Sequence, residues 1–270
     1  MKTQDQNSVK PDTQSCQTSV MCRAVDNLEL LLSQPDESVD LIYCDILYGT
    51  GRNFGDYQDL KPIRSEIEAH YLPRLKEMHR VLKSTGSIYL QMDTRINHWM
   101  RILMDDIFGY ENFRNEIAWC YSTSGANKNK FSEKHDIIIY YAMRGATWNI
   151  YMDTKPSPLM AGRDLSIKKQ NGRYENGVWF VDVFPKDWVE FKNVPANRKD
   201  EYVKYPTQKP KELISRFVLA STNEGDTVAD YYLGSGTTAV VCKELNRNFI
   251  GCDINPKAIE ITNARLDAVT

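Results

Sequence analysis

Short apolar, β-branched runs alternate with stretches of helical periodicity along most of this chain, and that rhythm constrains the fold more than any single motif. It predicts an α/β domain of the doubly wound kind, a mostly parallel sheet with helices on both faces. The expected strands are residues 20–24, 39–44, 87–91, 137–142, 227–230 and 248–252. Their near-continuous hydrophobicity suits strands buried on both sides. Between them, Ser65-Glu66-Ile67-Glu68 reads as a capping box. Ile67, Tyr71, Leu75, Met78 and Leu82 then fall on one helical stripe, with Gly86 as the expected stop. Asn255-Pro256 reads as the N-cap and first-turn proline of a last helix.

From 144 to 204 the rhythm is lost, and Gly, Pro, Asn, Trp and Lys become frequent. A segment that long without strand–helix alternation is expected to carry function. The chain of 270 residues therefore divides into a disordered arm (1–18), a first half-domain (19–143), an insertion (144–204) and a second half-domain (205–270). The arm is polar and lacks the apolar run of a secretory signal, and no stretch approaches the ~20 apolar residues that cross a bilayer. A cytoplasmic protein is expected. Six cysteines (16, 22, 44, 120, 242 and 252) form no C-x-x-C pair and read as reduced, mostly buried thiols. His70, His79, His98 and His135 lack metal-ligand spacing, so no metal is expected. Net charge is −2, but residues 121–210 hold 15 Lys and Arg against 10 Asp and Glu. A basic segment on an acidic body is compatible with a nucleic-acid surface, and equally with a solvated face.

The strongest local signal is Thr227-Val-Ala-Asp-Tyr-Tyr-Leu-Gly-Ser-Gly-Thr-Thr238, a strand that runs into a glycine turn and opens a helix. Gly234 and Gly236 let the backbone turn tightly and lie close to a ligand. One strand later, Phe249-Ile-Gly-Cys-Asp253 places an acid at a strand's carboxyl end, where it can accept hydrogen bonds from ribose hydroxyls. A dinucleotide site remains open on these facts. However, Ala239 stands where G-x-G-x-x-G needs its third glycine, and no P-loop lysine is present. A nucleoside-bearing ligand without a pyrophosphate fits better.

The order Tyr205-Pro-Thr-Gln-Lys-Pro210, Leu213-Ile-Ser-Arg216, GDTVADYYLGSGTT, RNFIGCDIN and Ala264-Arg-Leu266 resembles the DNA amino-methyltransferases, which methylate adenine at N6 or cytosine at N4. The chain is similar to their β-class, in which the catalytic half comes first, on a Rossmann-like methyltransferase sheet of the seven-stranded type with permuted motif order. The resemblance covers nearly the whole chain outside the first ~18 residues and the insertion. It implies S-adenosyl-L-methionine as cofactor. It also implies that Thr207, Gln208 and Lys209 lie beside the methionine part. Asp230, Leu233, Gly234, Ser235, Gly236, Thr237 and Thr238 would cradle the cofactor's body, while Asp253, Ile254 and Asn255 would lie along its ribose. Asp26, in Met21-Cys-Arg-Ala-Val-Asp26, would contact its adenine.

In this resemblance Asp45-Ile-Leu-Tyr48 takes the place of a D-P-P-Y tetrad and is the candidate catalytic centre. A base amine is a poor nucleophile because its lone pair is delocalised into the ring. Two acceptors, the Asp45 carboxylate and the Ile46 carbonyl, can favour a tetrahedral nitrogen and stabilise its developing charge. Tyr48 would stack on a base taken out of the duplex. Asp45 would also border the cofactor. Both prolines of the tetrad are replaced, and Tyr231 and Tyr232 stand where Pro and Phe are usual, so a DNA-binding relative with little catalysis stays an alternative. Cytosine N4, RNA or protein as the acceptor are others; Asp at the first tetrad position favours adenine by resemblance. Residues 49–60 form a glycine-rich loop placed to close over the base. The expected DNA contacts are Arg52, Lys128, Lys130, Lys168, Lys169 and Arg173, with 144–204 as target-recognition region. Double-stranded DNA is the expected partner. The resemblance adds a homodimer and a cognate restriction endonuclease.

Overall fold

The computed structural model describes residues 18–53, 58–121, 127–149, 153–156, 172–175, 178–194, 198 and 201–269, with backbone alone for 153–156, 172–175 and 178–183. In chain order the elements are β1 (Val20–Ala24), α1 (Asn27–Ser33), β2 (Val39–Asp45), α2 (Arg64–Val81), β3 (Leu82–Met92) and α3 (Asn97–Phe108). There follow β4 (Phe113–Cys120), β5 (His135–Ala142), β6 (Asp153–Pro156), β7 (Gly172–Glu175), β8 (Val178–Val183) and β9 (Trp188–Glu190). The chain then returns to α4 (Lys211–Ser221), β10 (Thr227–Asp230), α5 (Thr237–Glu244), β11 (Asn248–Asp253) and α6 (Pro256–Asp267).

Eight strands form the main sheet in the order β1-β11-β10-β2-β3-β5-β4-β9. Every neighbouring pair is parallel except β3–β5 and β5–β4. The expected doubly wound, mostly parallel sheet is therefore present. Side-chain alternation along β2 builds both cores. Ile42 and Cys44 pack with Leu31, Ile67, Leu75 and Met104 from α1, α2 and α3. Leu41 and Tyr43 pack on the other face with Leu213, Phe217, Val241 and Leu266 from α4, α5 and α6. With a helical layer packed on each face, the strand ends are where such a sheet presents a ligand crevice.

Three local expectations are corrected. Ser65 does not cap α2, because the helix starts at Arg64 after an extended Ile63, with no side-chain cap bond. Ser65 is already helical, so its hydroxyl cannot reach back across the first turn. The stripe Ile67, Tyr71, Leu75 and Met78 is buried as expected, but Val81 completes it and Leu82 already belongs to β3. Gly86 does not end the helix. It lies inside β3, where an added Cβ would come 2.6 Å from the Leu82 side chain and 3.0 Å from the Asp40 carbonyl. Asn255 does cap α6: its side chain accepts the Lys257 N–H at 3.0 Å, with Pro256 in the first turn.

Within 144–204, β6, β8 and β7 form a separate three-stranded antiparallel sheet, whereas β9 joins the edge of the main sheet beside β4. Cys22, Cys44, Cys120, Cys242 and Cys252 are free thiols, three of them buried; Cys16 lies outside the described residues. Among the described residues no helix is long and apolar enough to cross a membrane.

Candidate active site

β2 leads through α2 to β3 on one side, and β10 leads through α5 to β11 on the other. The chain thus winds in opposite directions from the β10–β2 boundary, and a crevice opens at the carboxyl ends of those strands. Asp253, Asp230 and Asp45 terminate β11, β10 and β2. Because β5 runs antiparallel to β3, its first residues, His135 and Asp136, are brought to the same rim.

Two clefts meet there. One, of about 430 Å³, is lined by Asp26, Asp45, Ile46, Tyr48, Thr207, Lys209, Gly234, Asp253 and Ile254 among others. The second, of about 380 Å³, is walled by Trp119, Tyr121, Asp136, Asn193 and Tyr202. Tyr48, Tyr205, Thr207 and Lys209 line both. Each volume is in the range that holds a small organic ligand.

At their junction, Lys209 Nζ donates to Asp45 Oδ2 in a close ion pair and to the Thr207 carbonyl at 3.1 Å. Tyr48 places its hydroxyl 2.8 Å from Asp45 Oδ1. Burial pushes the Asp45 carboxyl up, and the Lys209 ammonium opposes that shift. The tetrad loop needs no proline to hold its path. Ile46 is buried and its N–H donates to the Gln91 carbonyl at 3.0 Å, while the Tyr71 hydroxyl donates to the Leu47 carbonyl at 2.9 Å. Asp59 closes the base of the following loop, accepting from the N–H groups of Gly49 and Thr50 at 3.1 and 2.7 Å.

The glycine turn is built as a support as well as a wall. Asp253 accepts the Gly234 N–H at 2.9 Å and the Asn255 N–H at 2.9 Å, which leaves carboxylate lone pairs for ribose-like hydroxyls. Asp230, pushed up to about 7 by burial, accepts from the Thr238 hydroxyl at 2.6 Å and the Tyr232 N–H at 3.0 Å. Gly236 has φ +75° and lies so close to α6 that a Cβ would meet Thr262 Oγ1 at 2.2 Å. The glycine there serves helix packing. Arg265 reaches from α6 to donate to the Ser235 carbonyl at 2.6 Å. His70, lowered to about 4 by burial and then by Arg74, contacts the Tyr232 hydroxyl at 3.2 Å.

The expected site residues separate accordingly. Leu233, Ser235, Thr237 and Thr238 line a smaller recess behind the larger cleft, together with Asp230. Gln208 lines the second cleft and the smaller recess rather than the larger cleft, and its amide accepts from Val203 N–H at 3.0 Å and donates to the Glu201 carbonyl at 2.7 Å. Asn255 is occupied as a helix cap. Asp26 caps α1 through the Leu28 N–H and pairs with Arg74 at 3.0 Å, yet its side chain stays 45% exposed. Arg52, Lys128 and Lys130 are exposed, and Lys130 is ion-paired with Glu133. Lys168 and Lys169 lie outside the described residues, and Arg173 is described only as backbone in β7. Sequence reasoning assigned no role to Arg74, Asp136 or Tyr205. For Asp136 the available signal was an acid at the head of a wholly apolar strand.

Comparison with solved structures places the fold. The chain superposes on a crystal structure of M1.HpyAVI in complex with SAM with a TM-score of 0.60 at 17% identity, covering 92% of this chain and 99% of that one. On the PvuII cytosine-N4-specific DNA methyltransferase the TM-score is 0.62 at 18% identity, with 93% of each chain covered. The fold is thus the Rossmann-like methyltransferase fold. Residues 39–264 match the N6/N4 DNA methylase family, and the chain belongs to that family. Sequence relatives agree: it is 35% identical to the type II methyltransferase M.HpaI of Haemophilus parainfluenzae over 91% of this chain and 72% of that protein. It is 31% identical to the DNA adenine methyltransferase YhdJ of Escherichia coli (strain K12), over 91% of this chain and 82% of that protein.

Proposed function

We propose that the chain transfers the methyl group of S-adenosyl-L-methionine to the N6 amine of an adenine turned out of duplex DNA at a specific sequence. The observation that carries this reading is the junction of the two clefts at Asp45, Tyr48 and Lys209. One cleft fits a nucleoside-bearing cofactor, and the other fits a base.

In the larger cleft Asp253 would hold ribose hydroxyls, Asp26 would face the adenine, and Thr207 and Lys209 would border the methionine end. When bound, the cofactor supplies an electrophilic methyl group on a sulfonium. The chain supplies alignment and charge. Asp45 and the Ile46 carbonyl accept the amine hydrogens and stabilise positive charge on nitrogen as it attacks. Lys209 works against the upward push that burial exerts on the Asp45 carboxyl. Tyr48 offers its ring to the base, which must leave the duplex because stacking hides the amine.

Adenine is preferred over cytosine on the Asp at the head of the tetrad and on the likeness to an adenine methyltransferase. The likeness to a type II enzyme supports a cognate restriction endonuclease as partner. Tritiated-methyl transfer to unmethylated bacterial DNA, followed by digestion to nucleosides and mass spectrometry, tests the reading. N6-methyladenine is expected, and N4-methylcytosine would refute the base assignment. Asp45→Ala should lower transfer by about 10²-fold or more while leaving cofactor binding largely intact.

A further inference from the structure

The Tyr48 hydroxyl has two carboxylates within hydrogen-bond distance. It lies 2.8 Å from Asp45 Oδ1 and 2.7 Å from Asp136 Oδ2. A phenol carries a single proton and can donate to only one of them at a time. Asp136 is 4% exposed and firmly placed. Gln91 Nε2 donates to the same Oδ2 at 2.9 Å, and the Tyr121 hydroxyl donates to Oδ1 at 2.9 Å. Gln91 is oriented in turn by the Tyr43 hydroxyl, which donates to its Oε1 at 2.6 Å. Around Asp136 the ionisable groups are thus Tyr43 and Asp45 from β2, Tyr48 from the loop after it, and Tyr121 from the end of β4. Lys209 stands beyond Asp45.

Both Asp45 oxygens already carry a donor, Lys209 on Oδ2 and the Tyr48 hydroxyl on Oδ1, so an incoming amine must share an oxygen with one of them. A phenol in this partly buried place needs an acceptor, since a buried donor left unpaired is costly. With Asp45 alone, phenol and amine would share one oxygen, and each would weaken the other's hold on it.

We propose that Asp136 is a positioning residue that removes this competition. It rests on the methyl-transfer reading above. When a base amine donates to Asp45 Oδ1, the Tyr48 hydroxyl turns its proton wholly to Asp136 Oδ2. The ring stays where it is, because the acceptor is already at 2.7 Å and only a hydroxyl rotation is needed. The Tyr48 hydroxyl is thereby the gate on Asp45, and Asp136 is what opens it.

The test is a suppressor experiment on the full chain, read by single-turnover transfer of tritiated methyl to unmethylated bacterial DNA at saturating cofactor. Asp136→Ala leaves Tyr48 with Asp45 alone, and transfer should slow by about tenfold or more with cofactor affinity unchanged. Asp136→Asn retains an amide oxygen that can accept, so it should lose less; it also carries the test if the alanine variant fails to fold. Tyr48→Phe deletes the competing hydroxyl. Added to Asp136→Ala it should raise the rate back to that of Tyr48→Phe alone, which a merely structural role for Asp136 would not allow. A double variant slower than both single variants, or an Asp136→Ala enzyme as fast as wild type, overturns the proposal. A wild-type chain that binds cofactor yet moves no label into DNA overturns the methyl-transfer reading, and this one with it. An active wild type with no rescue overturns the Asp136 assignment alone.

Discussion

Lys209 and Asp45 form an ion pair across 164 residues of sequence, joining the loop before α4 to the end of β2 at the point where the clefts meet. The pair is well buried, with side-chain exposures of 9% and 20%. Its importance is electrostatic. Burial favours a neutral carboxyl, and the ammonium works against that shift, toward the anion that can accept an amine hydrogen.

Removing the cation should therefore move the pH dependence in a definite direction. In Lys209→Met, the Asp45 carboxyl loses the opposing charge and hydrogen bond, and its pKa rises further. The acidic limb of the methyl-transfer pH profile should shift to higher pH, with activity partly regained in alkaline buffer. A limb that stays in place would show that Asp45 is not the titrating group.

Asp230 should make the fold less stable as pH rises. Its folded-state carboxyl is pushed up to about 7 by burial, against the lowering effect of bonds from Thr238 and the Tyr232 N–H. An unfolded aspartate titrates near ~3.9. The stabilising contribution is thus full below the unfolded value and is lost as pH climbs through about 7, on the order of a few kcal/mol. Asp230→Asn removes the ionisation but keeps the size. Thermal melts at about pH 5 and about pH 8 should show the variant gaining relative to wild type at the higher pH. Parallel curves would contradict the shift.

Restoring the proline usual in the family's tetrad should harm this chain. The Ile46 N–H donates to the Gln91 carbonyl, and proline has no such donor. Ile46→Pro should cost about 1–3 kcal/mol of stability, measured by denaturant unfolding, without a gain in methyl transfer. Tyr71→Phe, which frees the Leu47 carbonyl, should lower transfer more than it lowers stability. A faster Ile46→Pro enzyme would mean that the loop is not held as the structure indicates.

The strands of the parallel region were legible because burial on both faces writes itself as continuous hydrophobicity; β1 and β10 were bounded correctly to the residue. β4 was not, because its first half, with Arg114, Asn115 and Glu116 exposed, breaks that pattern. β9, three residues long, carries too little sequence to be seen. The Asn255 cap could be read because residue type and following proline agree. Ser65 misled because capping depends on where the entering chain turns helical, which Ile63 and not the serine decides.

Sequence by itself determined the sheet class, the glycine turn and the acid at Asp253, since each is a local pattern of residue type and spacing; the tetrad was singled out only by the order of motifs along the whole chain. Tertiary structure decided which of those groups face one another. Only the antiparallel course of β5 brings Asp136 to the rim beside Tyr48. Only the loop before α4 sets Lys209 on Asp45 and places Gln208 in the second cleft. The reason is physical: hydrophobic periodicity encodes burial along an element. A hydrogen bond between distant side chains depends on how two elements cross, which no single segment records.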